Sequence, residues 1–243
     1  MLGLLLLQVL ASCLWLGHSE VVMSFTDCPQ FFCRNTTPDN ALEPQDPARI
    51  CQCYKNQYHF ATLYDRDLHI PVYSAYTYRL GPGSRSKLWF VEPQVNESYP
   101  KRDMDTEKSI EKQYKVTPQQ IGQLIYLQPH QRSAPQKHTQ QGCHWTHSEN
   151  QTMAQNTQGC TATYVITGAV PGNRYISNNR VNVPSHICSA ACCQTNKILK
   201  TWAAITANNN NQVPNLTLGQ LEARLSQLYG RGQVSLFHSA FPH

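Results

Sequence analysis

The chain has 243 residues, with 20 Lys+Arg against 15 Asp+Glu and a formal net charge of +5. That length supports one sizeable core and falls short of two. A sequence pI near 8.7 permits a polyanionic partner without requiring one.

The chain opens with "MLGLLLLQVLASCLWLGHSE", an apolar run with small residues at Gly17 and Ser19. This is expected to be a signal peptide over residues 1–19, cleaved before Glu20. A membrane anchor is the competing reading, but the run is shorter than the ~20 apolar residues a span needs. Residues 20–243 are then expected to form a single domain, secreted to the extracellular side. Four glycosylation sequons agree with that compartment, at Asn35, Asn96, Asn150 and Asn215.

Ten cysteines occur, and Cys13 leaves with the signal. The remainder are Cys28, Cys33, Cys51, Cys53, Cys143, Cys160, Cys188, Cys192 and Cys193. Outside the cytosol most of them are expected in disulfides, with at least one left over because the number is odd. Structural zinc is the alternative, and the absence of any Cys-x-x-Cys pair disfavours it.

Residues 24–53, rich in Cys, Pro and Asn, read as a disulfide-pinned arm. Residues 60–80 alternate apolar and polar around Asp65-Arg66-Asp67, which predicts two strands in a hairpin. "KLWFVEPQV" predicts a third strand ended by Pro93. "DTEKSIEKQY" predicts a short exposed helix, and residues 161–170 a strong strand. "HICSAACC" leads into a last strand before the polar turn Asn208–Asn211. Leu218, Leu221, Leu225 and Leu228 stand at helical spacing, with Gly230 as a stop.

Residues 128–160 are rich in Gln, His and Thr. His130, His138, His144 and His147 with Cys143 make a candidate loop for Zn²⁺ or Cu²⁺. A solvated Gln/His-rich loop is the competing reading. Arg79, Arg85 and Lys87 are candidate phosphate contacts, against the plainer reading of a solvated edge. No Gly-x-Ser-x-Gly elbow, His-Glu-x-x-His helix, P-loop or dinucleotide glycine pattern occurs, so those enzyme classes find no support.

Several segments together carry a resemblance. "ICQCYKNQYHFATLYDRDLHIPVYSAYTY", "WFVEPQV", "TYVITGAVPG", "VPSHICSAACC" and "LGQLEARLSQLYG" resemble the endonuclease domain-containing 1 proteins, members of the DNA/RNA non-specific endonuclease family. The resemblance covers nearly all of residues 20–243. It implies an α+β fold with a mixed, largely antiparallel sheet flanked by helices, of the ββα-metal (His-Me finger) kind and stabilised by disulfides. In the active family a His takes a proton from water, which attacks a phosphodiester. An Asn holds Mg²⁺ at the scissile phosphate.

The Asp-Arg-Gly-His motif of that family falls on Gln120-Ile121-Gly122-Gln123. The resemblance therefore assigns Gln123 to the general-base position, where a carboxamide cannot accept a proton near neutral pH. It puts Ile121 at the position of a phosphate-gripping Arg. In the metal motif, Pro135-Gln136, Trp145 and Glu149 match, and the Asn position is Gln141. Its amide oxygen sits on a stem one methylene longer, which a small, rigid ion such as Mg²⁺ accommodates poorly. Glu149 is a carboxylate at the metal's water-shell position. Only nine residues, 124–132, separate Gln123 from Ser133, fewer than the family usually has. Either a strand is deleted there or a stretch of sequence is lost.

Three functions follow from these expectations. The first is a catalytically lapsed nuclease fold that still binds nucleic acid, metal or a protein. The second is a nuclease that uses another His, and the third a metal-binding His-rich loop.

Overall fold

The computed structural model describes residues 21–54, 57–78, 90–92, 104–114, 125–127, 153, 155–176, 179, 181–196, 198–208, 210 and 212–237. An eight-stranded sheet organises them, in the order β1-β2-β3-β4-β7-β10-β11-β12. Its strands are β1 (Val21–Val22), β2 (Pro47–Tyr54), β3 (Gln57–Asp65), β4 (Ile70–Tyr78), β7 (Ala162–Val170), β10 (His186–Gln194), β11 (Leu199–Ala207) and β12 (Asn215–Leu216). Every described pairing is antiparallel. Two small ribbons stand apart, β5 (Phe90–Glu92) with β6 (Ile125–Leu127), and β8 (Arg174–Ile176) with β9 (Val181–Val183).

Alternation decides which residues face which side. Ala61, Leu63, Tyr73, Ala75, Ile166, Cys188, Ala190 and Cys192 point to one face. Over them pack the N-terminal arm, with Phe25, Phe31 and Phe32, and helix α2 (Leu218–Tyr229). Ile50, Phe60, Tyr64, Tyr76, Val165 and Ala191 point to the other face, where Met104 and Met153 seal against them.

Helix α2 follows its leucine spacing. Leu218, Leu221 and Leu225 are buried. A reciprocal capping box starts the helix: Gln220 N–H donates to Thr217 Oγ1 at 3.2 Å, and Thr217 N–H donates to Gln220 Oε1 at 2.9 Å. Gly230 ends it in the left-handed conformation at φ 62°. The tail beyond is clasped to the arm. Ser235 N–H donates to Asp39 Oδ2 at 2.7 Å, Asp39 N–H donates to Ser235 O at 3.0 Å, and Leu236 N–H donates to Glu222 Oε1 at 2.7 Å.

The expected hairpin is β3–β4, turning at residues 66–69, and the expected helix at 105–114 is α1 (Glu107–Tyr114). The arm holds four 3-10 turns and runs into β2, paired along its whole length with β3. The strand expected at "KLWFVEPQV" is β5, which stops just before Pro93 and pairs with β6. "HICSAACC", expected only to lead into a last strand, is itself a central strand, β10, lying between β7 and β11.

Among the described residues two disulfides are formed, Cys28–Cys51 and Cys160–Cys193, in keeping with the expected disulfide-stabilised fold.

Candidate functional site

The residues that the sequence nominates for chemistry, Ile121, Gln123, Gln141 and Glu149, all lie outside the described residues, as do His130, His138, Cys143, His144, His147, Arg79, Arg85 and Lys87. So do the sequons at Asn96 and Asn150. Asn35 and Asn215 are described, and both are exposed.

The structure does describe the strands that precede and follow that segment in sequence. Strands β4 and β7 are hydrogen-bonded neighbours. Residues 79–161 therefore leave and re-enter the sheet at adjacent central strands. Two anchors within this excursion, Met104 and Met153, are buried at 2% and 6% exposure on the Ile50–Phe60–Val165 face. Met104 N–H also donates to the Cys53 carbonyl at 3.1 Å. Just before α1, Asp105 Oδ1 accepts from Thr106 N–H at 2.7 Å and its Oδ2 from the Ser109 hydroxyl at 2.5 Å. Strand β6 begins at Ile125, two residues after Gln123.

Under those anchors runs a feature that the sequence reading missed. Thr62, Ser74, Thr167 and Ser189 stand directly opposite one another on β3, β4, β7 and β10. The Thr62 and Ser74 hydroxyls are 2.9 Å apart, and those of Thr167 and Ser189 3.3 Å. Thr62 also donates to Gln52 Oε1 on β2 at 2.6 Å. The row crosses five strands. Gln52 is fully buried at 0% exposure, and its Nε2 donor has no partner. A buried amide N–H₂ left unmade is costly. The signal was available in the sequence: "ICQCY", "FATLY", "VYSAY", "VITGA" and "ICSAA" each hold one polar residue among apolar neighbours.

This row can hydrogen-bond but cannot ionise, so it supplies neither a general base nor a metal ligand of carboxylate type. Titratable groups around the sheet are committed elsewhere. Burial pushes the Tyr64 and Tyr73 hydroxyls up, beyond any catalytic use near neutral pH. Burial also holds the Asp65 carboxyl above its ordinary range, while its Oδ1 accepts from Leu68 N–H at 2.9 Å in the β3–β4 turn. No group of three or more His, Cys, Asp or Glu able to hold a metal occurs among the described residues. Among them, no helix is long and apolar enough to cross a membrane.

Residues 133–228 match the DNA/RNA non-specific endonuclease family, a span from Ser133 through β7, β10 and β11 into α2. The endonuclease domain-containing 1 protein of Homo sapiens is 27% identical over 205 residues, which is 73% of this chain and 40% of that protein. Its Mus musculus counterpart is 26% identical over 199 residues, 70% of this chain and 39% of that one.

Over residues 133–228 this chain is similar to the DNA/RNA non-specific endonucleases.

It spans about two-fifths of the length of those two endonuclease domain-containing relatives. The family match takes in Gln141 and Glu149 and begins downstream of Ile121 and Gln123. A chain in the crystal structure of the EndoG/EndoGI complex, on the mechanism of EndoG inhibition, superposes with a TM-score of 0.44 at 14% identity, covering 74% of this chain and 84% of that one.

Proposed function

We propose that this endonuclease-family chain is a secreted, glycosylated, nucleic-acid-binding protein in which phosphodiester cleavage has lapsed. Residues 1–19 serve as its signal and residues 20–243 as one domain. Asn35, Asn96, Asn150 and Asn215 are its glycan acceptors.

The observation that carries this reading is the pair of carboxamides in the two motifs. Gln123 stands where the family has its general base, and Gln141 where it has its metal-holding Asn. A carboxamide donates and accepts hydrogen bonds but takes no proton from water near neutral pH. Loss of a general base alone removes ~10²–10⁴-fold of rate. Ile121, in place of an Arg, removes a bidentate grip on phosphate as well. Gln141 and Glu149 are also a poor donor set for Mg²⁺, which demands near-ideal octahedral geometry. Binding of nucleic acid without cleavage is consistent with the net charge of +5.

The test is incubation with plasmid DNA and with RNA in Mg²⁺, against a chelator control. No cleavage above buffer is expected from the wild type or from Gln123→His. The triple change Gln123→His, Ile121→Arg and Gln141→Asn is the combination expected to restore it. Robust wild-type cleavage abolished by chelator would overturn the reading and move the base to His130, His138, His144 or His147. Secretion is read separately, from the medium of expressing animal cells and from a mass drop on glycosidase treatment.

A further inference from the structure

Cys33 and Cys192 are 159 positions apart in sequence, yet their sulfurs face each other at 2.9 Å between the N-terminal arm and the sheet. That is well inside the van der Waals contact of two sulfurs and approaches the ~2.0 Å of a disulfide. Both residues are closed off from solvent, at 1% and 0% exposure. Neither belongs to the two bonds already formed.

Three neighbouring cysteines are committed or too far away. Cys193 points to the opposite face of β10 and is bonded to Cys160, and Cys28 is bonded to Cys51. Cys188 shares the Cys192 face but lies four residues back along β10, about 13 Å away at strand rise.

The geometry points to a third disulfide, Cys33–Cys192, that fastens the arm to the central strand β10. Its formation requires an oxidant of the disulfide class, such as oxidised glutathione. Before the arm closes, Cys33 loses its proton to solvent. Its thiolate attacks one glutathione sulfur. The glutathione S–S bond breaks, and one glutathione leaves as thiolate. Cys192, on losing its proton, attacks the Cys33 sulfur of this mixed disulfide, and the second glutathione leaves. Two electrons pass from the cysteine pair to glutathione, and the two cysteine protons go by way of solvent to the two leaving thiolates. Because the finished site is buried, these exchanges precede closure of the arm, and the completed bond is out of reach of reductant in the folded protein.

The test uses the full chain refolded from the reduced state in a glutathione redox buffer. It is denatured and alkylated with iodoacetamide, then reduced and labelled with N-ethylmaleimide, and each cysteine is read by peptide mass. Cys33 and Cys192 are expected to carry only the second label. Iodoacetamide on either one in the wild type would overturn the inference. In Cys33→Ser, Cys192 is expected to switch to the first label while Cys28, Cys51, Cys160 and Cys193 stay with the second. Retention of the second label by Cys192 would assign it another partner and reject the bond. Pepsin digestion without reduction reads the linked pair directly in the wild type, and a Cys33–Cys192 linked fragment is expected. Its absence, with the other two links present, counts against the bond. Cys33→Ser is further expected to melt lower by on the order of 10 °C.

Discussion

Replacing a buried polar residue usually destabilises a protein, and Gln52 is expected to be an exception. Its Oε1 accepts from Thr62 at 2.6 Å, while its Nε2 is buried with no acceptor. Gln52→Met removes one hydrogen bond, worth about 1 kcal/mol. It also removes a desolvated donor that costs about 1–3 kcal/mol, and it keeps the volume nearly unchanged. The balance is a gain of about 1 kcal/mol. Thr62→Val acts in the opposite direction. It takes the Thr62 hydroxyl from the Gln52 amide oxygen and strips the Ser74 hydroxyl of its neighbour, a loss of about 2–3 kcal/mol. The double variant should then be more stable than Thr62→Val alone, because no stranded amide remains at position 52, with a coupling of about 1–2 kcal/mol. Urea unfolding of the four proteins measures all three quantities, and an unchanged slope shows that the shifts are in stability. A loss above about 1 kcal/mol in Gln52→Met, or strict additivity in the double variant, would refute the stranded-donor reasoning.

Thr217→Ala is expected to lower the melting temperature by about 2–4 °C through loss of the capping box, and to abolish glycan at Asn215. Asn215→Gln should share the mass change on gels without the thermal loss. Gly172→Ala places a Cβ 2.4 Å from the Val183 carbonyl, in a turn where Asn182 holds both Gly172 N–H and C=O. A loss of about 1–3 kcal/mol is expected in chemical denaturation. That loss should exceed the one from Gly168→Ala, whose nearest neighbours are at 3.0 Å. Burial first, and the nearby Arg224 second, hold His186 below its ordinary pKa. The folded state therefore binds fewer protons there than the unfolded chain, and stability drops as pH falls below about 6.5 toward the folded value. In His186→Gln, acid titration followed by circular dichroism should show a shallower fall over that window.

Elements with a local signature were legible in the sequence. Helix α2 announces itself through Leu218, Leu221, Leu225 and Leu228 together with Gly230, all acting within one span of chain. The β3–β4 hairpin is equally local, because its turn at Asp65–His69 separates two alternating runs. Strand β10 was not, since "HICSAACC" is apolar on both faces and carries no period-two pattern. It becomes a strand only because β7 and β11 flank it. The disulfide partners of the sheet were out of reach for the same reason. Cys160 meets Cys193 through the β7–β10 register, and no spacing rule encodes a register. As for the site, the two motifs naming Gln123 and Gln141 are readable as residue types. Their mutual placement depends on segments beyond the described residues. The Gln52–Ser189 row needed five strands in register before one polar residue per strand could be seen as a line.

The clasp between Asp39 and Ser235 joins backbone positions 196 residues apart. At ribosomal rates of ~5–20 residues per second, the arm waits roughly 10–40 s after its own synthesis before its last hydrogen-bonding partner exists. During that interval Phe25, Phe31 and Phe32, later buried under α2 and the sheet, have no completed surface to cover. The early chain is thus a natural client for holding chaperones. Maturation is gated by translation of the distal helix and tail, and a stall downstream of β7 would strand an aromatic-rich, thiol-bearing arm.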